Sequence, residues 1–145
     1  MATVHSLEYL RSKNITKIGG EVQCRRCNAR YIHEFDLEEK FNEIAEYIHE
    51  HKERMDGRAS KPWLVPDCPT CNYCGTPDCM RPVLPLADQI EEINWLFLLL
   101  GQILGFCTLC QLKCFCQHSG NNSTGPKERL LYVTYLALFK QLDPM

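Results

Sequence analysis

Two pairs of cysteines carry the clearest chemistry in this chain: Cys24-x-x-Cys27 and Cys68-x-x-Cys71. Two residues between the ligands let both sulfurs of a pair approach one metal ion at about 2.3 Å, while amides of the turn hydrogen-bond to the sulfurs. Two such pairs complete a tetrahedron of thiolates with no position left for water. The spacing therefore predicts one structural zinc site, formed by Cys24, Cys27, Cys68 and Cys71, and argues against hydrolytic chemistry there.

The second pair has neighbours that compete with it as ligands. Cys74 and Cys79 follow closely, and Cys71-x-x-Cys74 repeats the same spacing, so a shifted set of ligands is an alternative. We favour the pair that begins at Cys68, because an apolar segment precedes it just as Val22 precedes the first pair. Cys74 and Cys79 are then spare thiols, alternative ligands or part of a separate site.

A third group of thiols lies near the C-terminal end of an apolar tract. Cys107, Cys110 and Cys114 are spaced so that they share one face of a helix, and Cys116 and His118 follow. A second metal or iron–sulfur site and a redox pair at 107 and 110 are the alternatives here. We favour a core role, because a free cysteine behaves as a small apolar residue and the surrounding tract is apolar.

The remaining sequence shows no catalytic motif. It has no glycine-rich phosphate loop, no His-Glu-x-x-His and no nucleophile paired with a base, so we predict that the protein is not an enzyme. The net charge of −2, from 16 basic and 18 acidic residues, lacks the positive field of strong nucleic-acid binders. A local basic patch of Arg25, Arg26 and Arg30 leaves a nucleic-acid-binding module as the alternative.

Local sequence patterns predict the secondary structure around the first cysteine pair. Residues prone to form strands flank Cys24 and Cys27, which predicts a metal-bearing hairpin. Asp36 and Glu39 form a helix-start pattern, and apolar residues then recur at helical spacing until Asp56-Gly57. We therefore expect an amphipathic helix inserted between the two cysteine pairs.

The C-terminal half is strongly apolar. Residues 93–112 are nearly long enough to cross a membrane, but polar residues and two glycines interrupt them, which favours a buried helix pair broken near Gly101 to Gly105. Pro126 suits the first turn of a last helix over residues 127–142. The predicted fold is α+β: zinc-ribbon-like knuckle hairpins with an inserted amphipathic helix, packed on a C-terminal bundle of apolar helices.

The length and composition are those of one domain. With 145 residues, 45% of them hydrophobic, the chain can bury one core. We expect an N-terminal arm over residues 1–20 and a single zinc-stabilised domain over residues 21–145. The N-terminus lacks the pattern of a secretory signal, so the ten cysteines are expected to stay reduced in the cytoplasm or nucleus.

Several stretches of the C-terminal half resemble a plant-specific family of uncharacterised domains. They are the tract from Asn94 to Gln102, Gly105-Phe106-Cys107, Gln111 to Lys113, Phe115-Cys116, His118, Thr124-Gly125, Arg129 to Tyr132 and Lys140 to Asp143. The resemblance spans about residues 20–144 and implies a first Cys-x-x-Cys, a helix and a Pro-x-Cys-x-x-Cys segment, which supports the same four ligands. It brings no established activity and favours a soluble or nuclear plant protein.

Together these patterns predict a non-enzymatic, intracellular zinc-binding protein that serves as an interaction or adaptor module. Its partner is expected to be an unidentified protein, and no membrane association is predicted. Nucleic-acid binding and a thiol redox or metal-buffering role are the alternatives.

Overall fold

The computed structural model describes residues 4–85 and 89–144. Within them the chain forms six α-helices and one three-stranded sheet. The helices are α1 (Leu7–Ser12), α2 (Leu37–Met55), α3 (Lys61–Leu64), α4 (Trp95–Leu100), α5 (Leu109–His118) and α6 (Lys127–Leu142). The strands are β1 (Lys17–Cys24), β2 (Arg30–Asp36) and β3 (Met80–Pro82), and short 3-10 turns lie at Ile90–Glu92 and Leu104–Phe106.

The sheet is antiparallel, with strand order β2-β1-β3. The β1–β2 hairpin is regular from the pair Lys17 and Asp36 to the pair Gln23 and Arg30. β3 pairs with the C-terminal end of β1, where Cys24 lies opposite Met80. This pairing brings the chain after residue 64 back to the hairpin turn that contains the first cysteine pair.

The long helix α2 begins and ends where the sequence predicts. The Asp36 side chain accepts a hydrogen bond from the Glu39 backbone N–H, and Asp56 adopts the left-handed conformation that ends the helix. Ile44 and Ile48 are buried on its inner face. The predicted amphipathic helix between the cysteine pairs is therefore present.

Helix α4 packs against the sheet at a glycine. A Cβ atom at Gly20 would lie 2.3 Å from the Phe97 ring, so only glycine permits this approach. Phe97 stacks on Phe35 of β2 with ring centroids 5.1 Å apart. The sheet and the C-terminal helices consequently share one core.

The apolar C-terminal half forms the centre of that core. α5 and α6 pack together, and the apolar tract is divided into α4, a 3-10 turn and α5, which agrees with a buried, broken helix pair. Trp63 of α3 is fully buried and stacks on Tyr135 of α6 with centroids 3.8 Å apart. The structure confirms the predicted α+β fold class.

The N-terminal segment also contacts the core. Leu7 and Leu10 of α1 are buried, and the Val4 backbone N–H donates to the Gln141 side chain at 2.9 Å. β1 begins at Lys17, so the predicted boundary between residues 20 and 21 falls within a strand.

Candidate metal centre

The first cysteine pair lies in a tight turn that begins at the last residue of β1. The Cys24 backbone N–H donates to the Ala29 carbonyl at 2.9 Å, and the Asn28 N–H donates to the Cys24 carbonyl at 3.1 Å. The N–H groups of Arg26 and Cys27 both donate to the Cys24 sulfur at 3.3 Å. Asn28 completes the turn with a positive φ of 63°. We call residues 24–29 the first knuckle.

Residues 71–76 form a second knuckle with the same hydrogen bonds. The Cys71 N–H donates to the Thr76 carbonyl at 3.1 Å, and the Gly75 N–H donates to the Cys71 carbonyl at 3.0 Å. The N–H groups of Tyr73 and Cys74 donate to the Cys71 sulfur at 3.3 and 3.4 Å. Gly75, with a φ of 72°, takes the place that Asn28 has in the first knuckle.

The two knuckles bring four thiols together. The sulfurs of Cys24, Cys27, Cys71 and Cys74 all lie within 4.8 Å of one another. The Cys24–Cys74 and Cys27–Cys71 distances are both 3.7 Å. Four sulfurs at about 2.3 Å from a central zinc ion would be separated by about 3.8 Å in a regular tetrahedron. The cluster therefore has the size and ligand type of a four-thiolate metal site.

This group differs at one position from the ligand set expected from the sequence. Cys24, Cys27 and Cys71 are brought together, but Cys74 completes the group and Cys68 lies outside it. The carbonyl of Pro69 accepts hydrogen bonds from the Cys79 and Met80 N–H groups at 3.3 and 3.2 Å. These hydrogen bonds hold Pro69, the residue after Cys68, beside the start of β3. The turn of the second knuckle begins two residues further on, at Cys71.

Cys68 instead lines a neighbouring cleft of about 240 Å³. Its backbone N–H donates to the Asp78 carboxylate at 2.7 Å. Burial, together with the negative charge of Asp78, raises the pKa of the Cys68 thiol to about 11. In each knuckle the residue after the second cysteine has a positive φ, and Gly75 suits that position. Asn72 after Cys71 would suit it as Asn28 does, so this signal does not separate the Cys74 set from the Cys68 set.

A fifth thiol, that of Cys79, borders the group without joining it. Its sulfur lies 3.4 Å from the Cys24 sulfur and donates to the Thr76 carbonyl at 2.9 Å. Cys79 is buried and is not among the four sulfurs that are mutually close. Its position fits an outer hydrogen-bonding neighbour of the Cys24 sulfur.

The crowded thiols differ in how easily they ionise. Hydrogen bonds from the backbone of Cys27 and Arg26 lower the pKa of Cys24 to about 6, despite its burial. The Ala29 backbone amide lowers the pKa of Cys27, but desolvation and contacts with neighbouring thiols outweigh it and raise that pKa to about 12. Without a cation, the four groups cannot all carry negative charge at such short distances. A divalent metal would remove that conflict.

The cysteines in and near α5 do not form a comparable cluster. Cys107 and Cys116 are buried, Cys114 is half-buried and Cys110 is exposed, as is His118. The Cys116 sulfur lies 3.8 Å from the Thr134 hydroxyl in the core. Among the described residues, these side chains form no group of three or more potential ligands.

The basic residues in and beside the first knuckle are divided between two environments. Arg25 and Arg26 are exposed, and no salt bridge involves either of them within the described part of the chain. Arg30 pairs with Glu21 at 2.9 Å. Arg81 of β3 lies over the Phe106 ring at 5.4 Å and lines the same cleft as Arg25 and Cys68.

Comparisons with known proteins define the class of this chain. A family model described as a domain of unknown function, DUF7086, matches residues 7–142, so the chain belongs to that family. No curated protein matches the chain. No solved structure matches it either. Among the helices of the described residues, none has both the length and the apolar character needed to cross a membrane.

Proposed function

We propose that this protein is a non-enzymatic interaction module that is stabilised by one zinc ion, held by Cys24, Cys27, Cys71 and Cys74. The observation that supports it is the matching geometry of the two knuckles, each of which directs two backbone N–H groups at its first sulfur. Four sulfurs in a tetrahedral arrangement suit zinc or iron. The reducing conditions of the cytoplasm or nucleus would keep the thiols free to bind metal. We also propose that the protein comes from a plant.

The role we assign to the ion is structural. Four protein ligands leave no vacant position for a substrate or a water molecule, so the ion would not polarise a reacting group. It would instead connect the end of β1 to the segment that follows α3. Because the separate knuckles do not form the site until the chain folds, the free energy of metal binding would add to the stability of the fold.

Elemental analysis tests this proposal directly. Protein purified under reducing conditions without added metal is expected to contain one zinc ion per chain. Removal of zinc with a chelator should lower the unfolding temperature and reduce the sheet signal in circular dichroism. Visible absorption distinguishes bound iron from zinc. Absence of metal, or two metal ions per chain, would contradict the single closed site and favour the redox or metal-buffering alternative.

The interaction surface we favour is the outer face of α2. We favour it over the apolar C-terminal helices, the other candidate surface, because many of their apolar side chains, including Leu131 and Leu138, are buried. The outer face of α2 instead presents five exposed acidic side chains: Glu39, Glu43, Glu46, Glu50 and Glu53. A protein partner with a basic surface would complement this face.

Quantitative affinity capture tests the α2 surface. A bait with Glu46→Lys and Glu50→Lys should lose partners that the unmodified protein retains. A bait with Gln117→Lys, which changes an exposed side chain on α5, serves as the control and should retain them. Equal retention by all three baits would exclude this face of α2 as the binding surface.

Nucleic-acid binding is the second candidate, and exposed Arg25 and Arg26 are the observation that favours it. Arg30 contributes less to this patch because it lies on β2 and its side chain points to Glu21 at 2.9 Å. A fluorescent single-stranded RNA should bind in a salt-sensitive way, and the Arg25→Ala/Arg26→Ala variant should lose that binding. Arg30→Ala is the matched control. No binding at low salt would remove this candidate.

A further inference from the structure

The outer edge of β2 is an unpaired strand edge. Within the described residues, the backbone groups of residues 30–35 bond only in the β1–β2 ladder, and the Asn72 N–H donates to the Tyr31 side-chain hydroxyl at 3.2 Å at one end of the strand. Proteins commonly protect such an edge with charged side chains, especially lysine, or with proline, a bulge or a covering element. Residues 30–36 contain no proline or lysine and their register with β1 is continuous, although Arg30, Glu34 and Asp36 are charged. Another strand can therefore pair with this edge if it places no like charges opposite these residues.

The hydrogen-bond pattern shows which residues face outward. At one end of the hairpin, the Leu37 N–H donates to the Thr16 carbonyl, and at the other the Cys24 N–H donates to the Ala29 carbonyl. Hydrogen-bonded pairs alternate with non-bonded pairs along an antiparallel ladder. The odd-numbered residues of β2 therefore bond to β1, and the even-numbered residues direct their N–H and C=O groups toward the open edge. Ile32 and Glu34 are at the centre of that edge.

The side chains of β2 include one that is unusual for a surface strand. Ile32, in the middle of β2, is 61% exposed, although it is a large apolar residue. Arg30 and Glu34, on the same face, are exposed as well. Tyr31, His33 and Phe35 lie on the opposite face and are half-buried. An added strand would need to present a matching mixture of apolar, charged and aromatic side chains.

The strand β2 provides that match itself. An antiparallel copy centred on His33 places Arg30 opposite Asp36 of the second copy, and Tyr31 opposite Phe35. Opposite charges and aromatic pairs across strands are both favourable, and Arg30, which pairs with Glu21 of its own sheet, has further N–H donors for the Asp36 carboxylate of the second copy. The same register makes Ile32 and Glu34 reciprocal hydrogen-bonded pairs, which supply about four backbone hydrogen bonds across the two-fold axis. Shifting the centre to Glu34 would place two like charges opposite each other.

A register centred on Ile32 is less favourable because it shortens the pairing. In that register Phe35 and Asp36 would lie opposite the first knuckle of the second copy, whose residues precede Arg30 and lie outside β2. The register centred on His33 uses all seven residues of β2. It therefore satisfies the largest number of outward backbone groups.

We propose that two copies of this chain associate through antiparallel pairing of their β2 strands, with His33 at the two-fold axis, to form one continuous six-stranded sheet. This inference does not depend on the metal or on the proposed adaptor role. The occupant is a second copy because the strand complements its own sequence in both charge and aromatic pairing.

Sedimentation velocity over a series of concentrations tests the association. The unmodified protein should show a monomer–dimer equilibrium. Ile32→Pro removes an outward N–H without removing a bond to β1, and it should raise the dissociation constant at least about tenfold. Ile32→Val is the matched control and should leave that constant within about twofold. A monomer at every concentration, or a dimer unaffected by Ile32→Pro, would overturn the proposal.

A second pair of measurements keeps the test independent of any effect of proline on folding. Arg30→Glu leaves the backbone unchanged and places like charges opposite each other, so it should also weaken the dimer. In a His33→Cys variant, mild oxidation should produce a disulfide between the two copies at position 33, because directly opposed, non-bonded residues lie about 4.5 Å apart. Mass spectrometry identifies the linked peptides. Absence of that peptide pair, with dimer present, would refute the register.

Discussion

Replacing Cys74 with serine distinguishes the four-sulfur group in the structure from the set that includes Cys68. Cys74→Ser would remove one of the four mutually close sulfurs, whereas Cys68→Ser would leave all four in place. We therefore expect Cys74→Ser to weaken zinc binding and Cys68→Ser to retain it. The two substitutions make the same chemical change six residues apart, so each serves as a control for the other.

The expected magnitudes follow from the role of each sulfur. Structural zinc sites in small peptides bind with about 10 to 16 kcal/mol of apparent free energy. Shared equally among four ligands, this is about 2.5 to 4 kcal/mol for one sulfur, or a loss of about two to three orders of magnitude in affinity. The hydrogen bond between Cys68 and Asp78 uses the backbone N–H, which serine retains. Cys68→Ser should therefore change the free energy of unfolding by less than about 1 kcal/mol.

Competition with a chromophoric zinc chelator under reducing conditions measures these affinities. Cys79 must be considered in the design, since its sulfur lies 3.4 Å from that of Cys24 and could replace the missing ligand. The Cys74→Ser/Cys79→Ser variant removes this compensation, and Cys79→Ser alone shows the effect of the outer thiol. If Cys68→Ser weakens zinc as strongly as Cys74→Ser does, the knuckle assignment is refuted.

Two further substitutions and one pH dependence test the fold. Gly20→Ala should lower the free energy of unfolding in urea by about 1 to 3 kcal/mol, because its Cβ would lie 2.3 Å from the Phe97 ring. Asp36→Ala should cost about 1 kcal/mol in thermal unfolding, because the Glu39 N–H loses its cap. Burial raises the pKa of Cys107 from 9.0 to about 12, so the unfolded chain loses that proton first and stability should fall above pH 9. Denaturant unfolding at pH 8 and pH 10 should show a decrease of about 1.4 kcal/mol from this group.

Each of these predictions has its own control. The Gly20→Ala/Phe97→Leu variant should regain part of the lost stability, and no recovery would locate the cost elsewhere. Asp36→Asn keeps an acceptor oxygen and should remain close to the unmodified protein; equal losses for both variants would argue against the cap. Cys107→Ala should show a smaller decrease between pH 8 and pH 10, and an unchanged decrease would assign the pH effect to other groups.

The helices were predictable because their signals are local. Asp36 and Glu39 mark the start of α2, and Asp56-Gly57 marks its end, so the boundaries depend on only a few neighbouring residues. Pro126 in the same way marks the start of α6, which covers Lys127–Leu142 as expected. The inserted helix and the C-terminal helices could therefore be placed from the sequence.

The second knuckle could not be placed by the same means, because cysteine spacing is ambiguous in that region. Cys68-x-x-Cys71 and Cys71-x-x-Cys74 have equal spacing, and the choice depends on where the chain joins the sheet. The bonds from Cys79 and Met80 to the Pro69 carbonyl decide that position, and they depend on β3 pairing with β1. A strand of three residues gives too weak a sequence pattern to predict such pairing.

The short length of β3 also indicates which part of the fold depends most on a metal. The helices share an extensive apolar core, but β3 contacts β1 over only the pairs from Val22 and Pro82 to Cys24 and Met80. So short a pairing is weak by itself, and a metal bridging the two knuckles would hold it closed. Arg25 follows the end of β1 and Arg81 lies on β3, so the cleft they line is formed across this pairing. We therefore expect that removing zinc separates β3 from β1, and opens the cleft lined by Arg25 and Arg81, before the helices unfold. Amide hydrogen exchange should then increase first in residues 71–82.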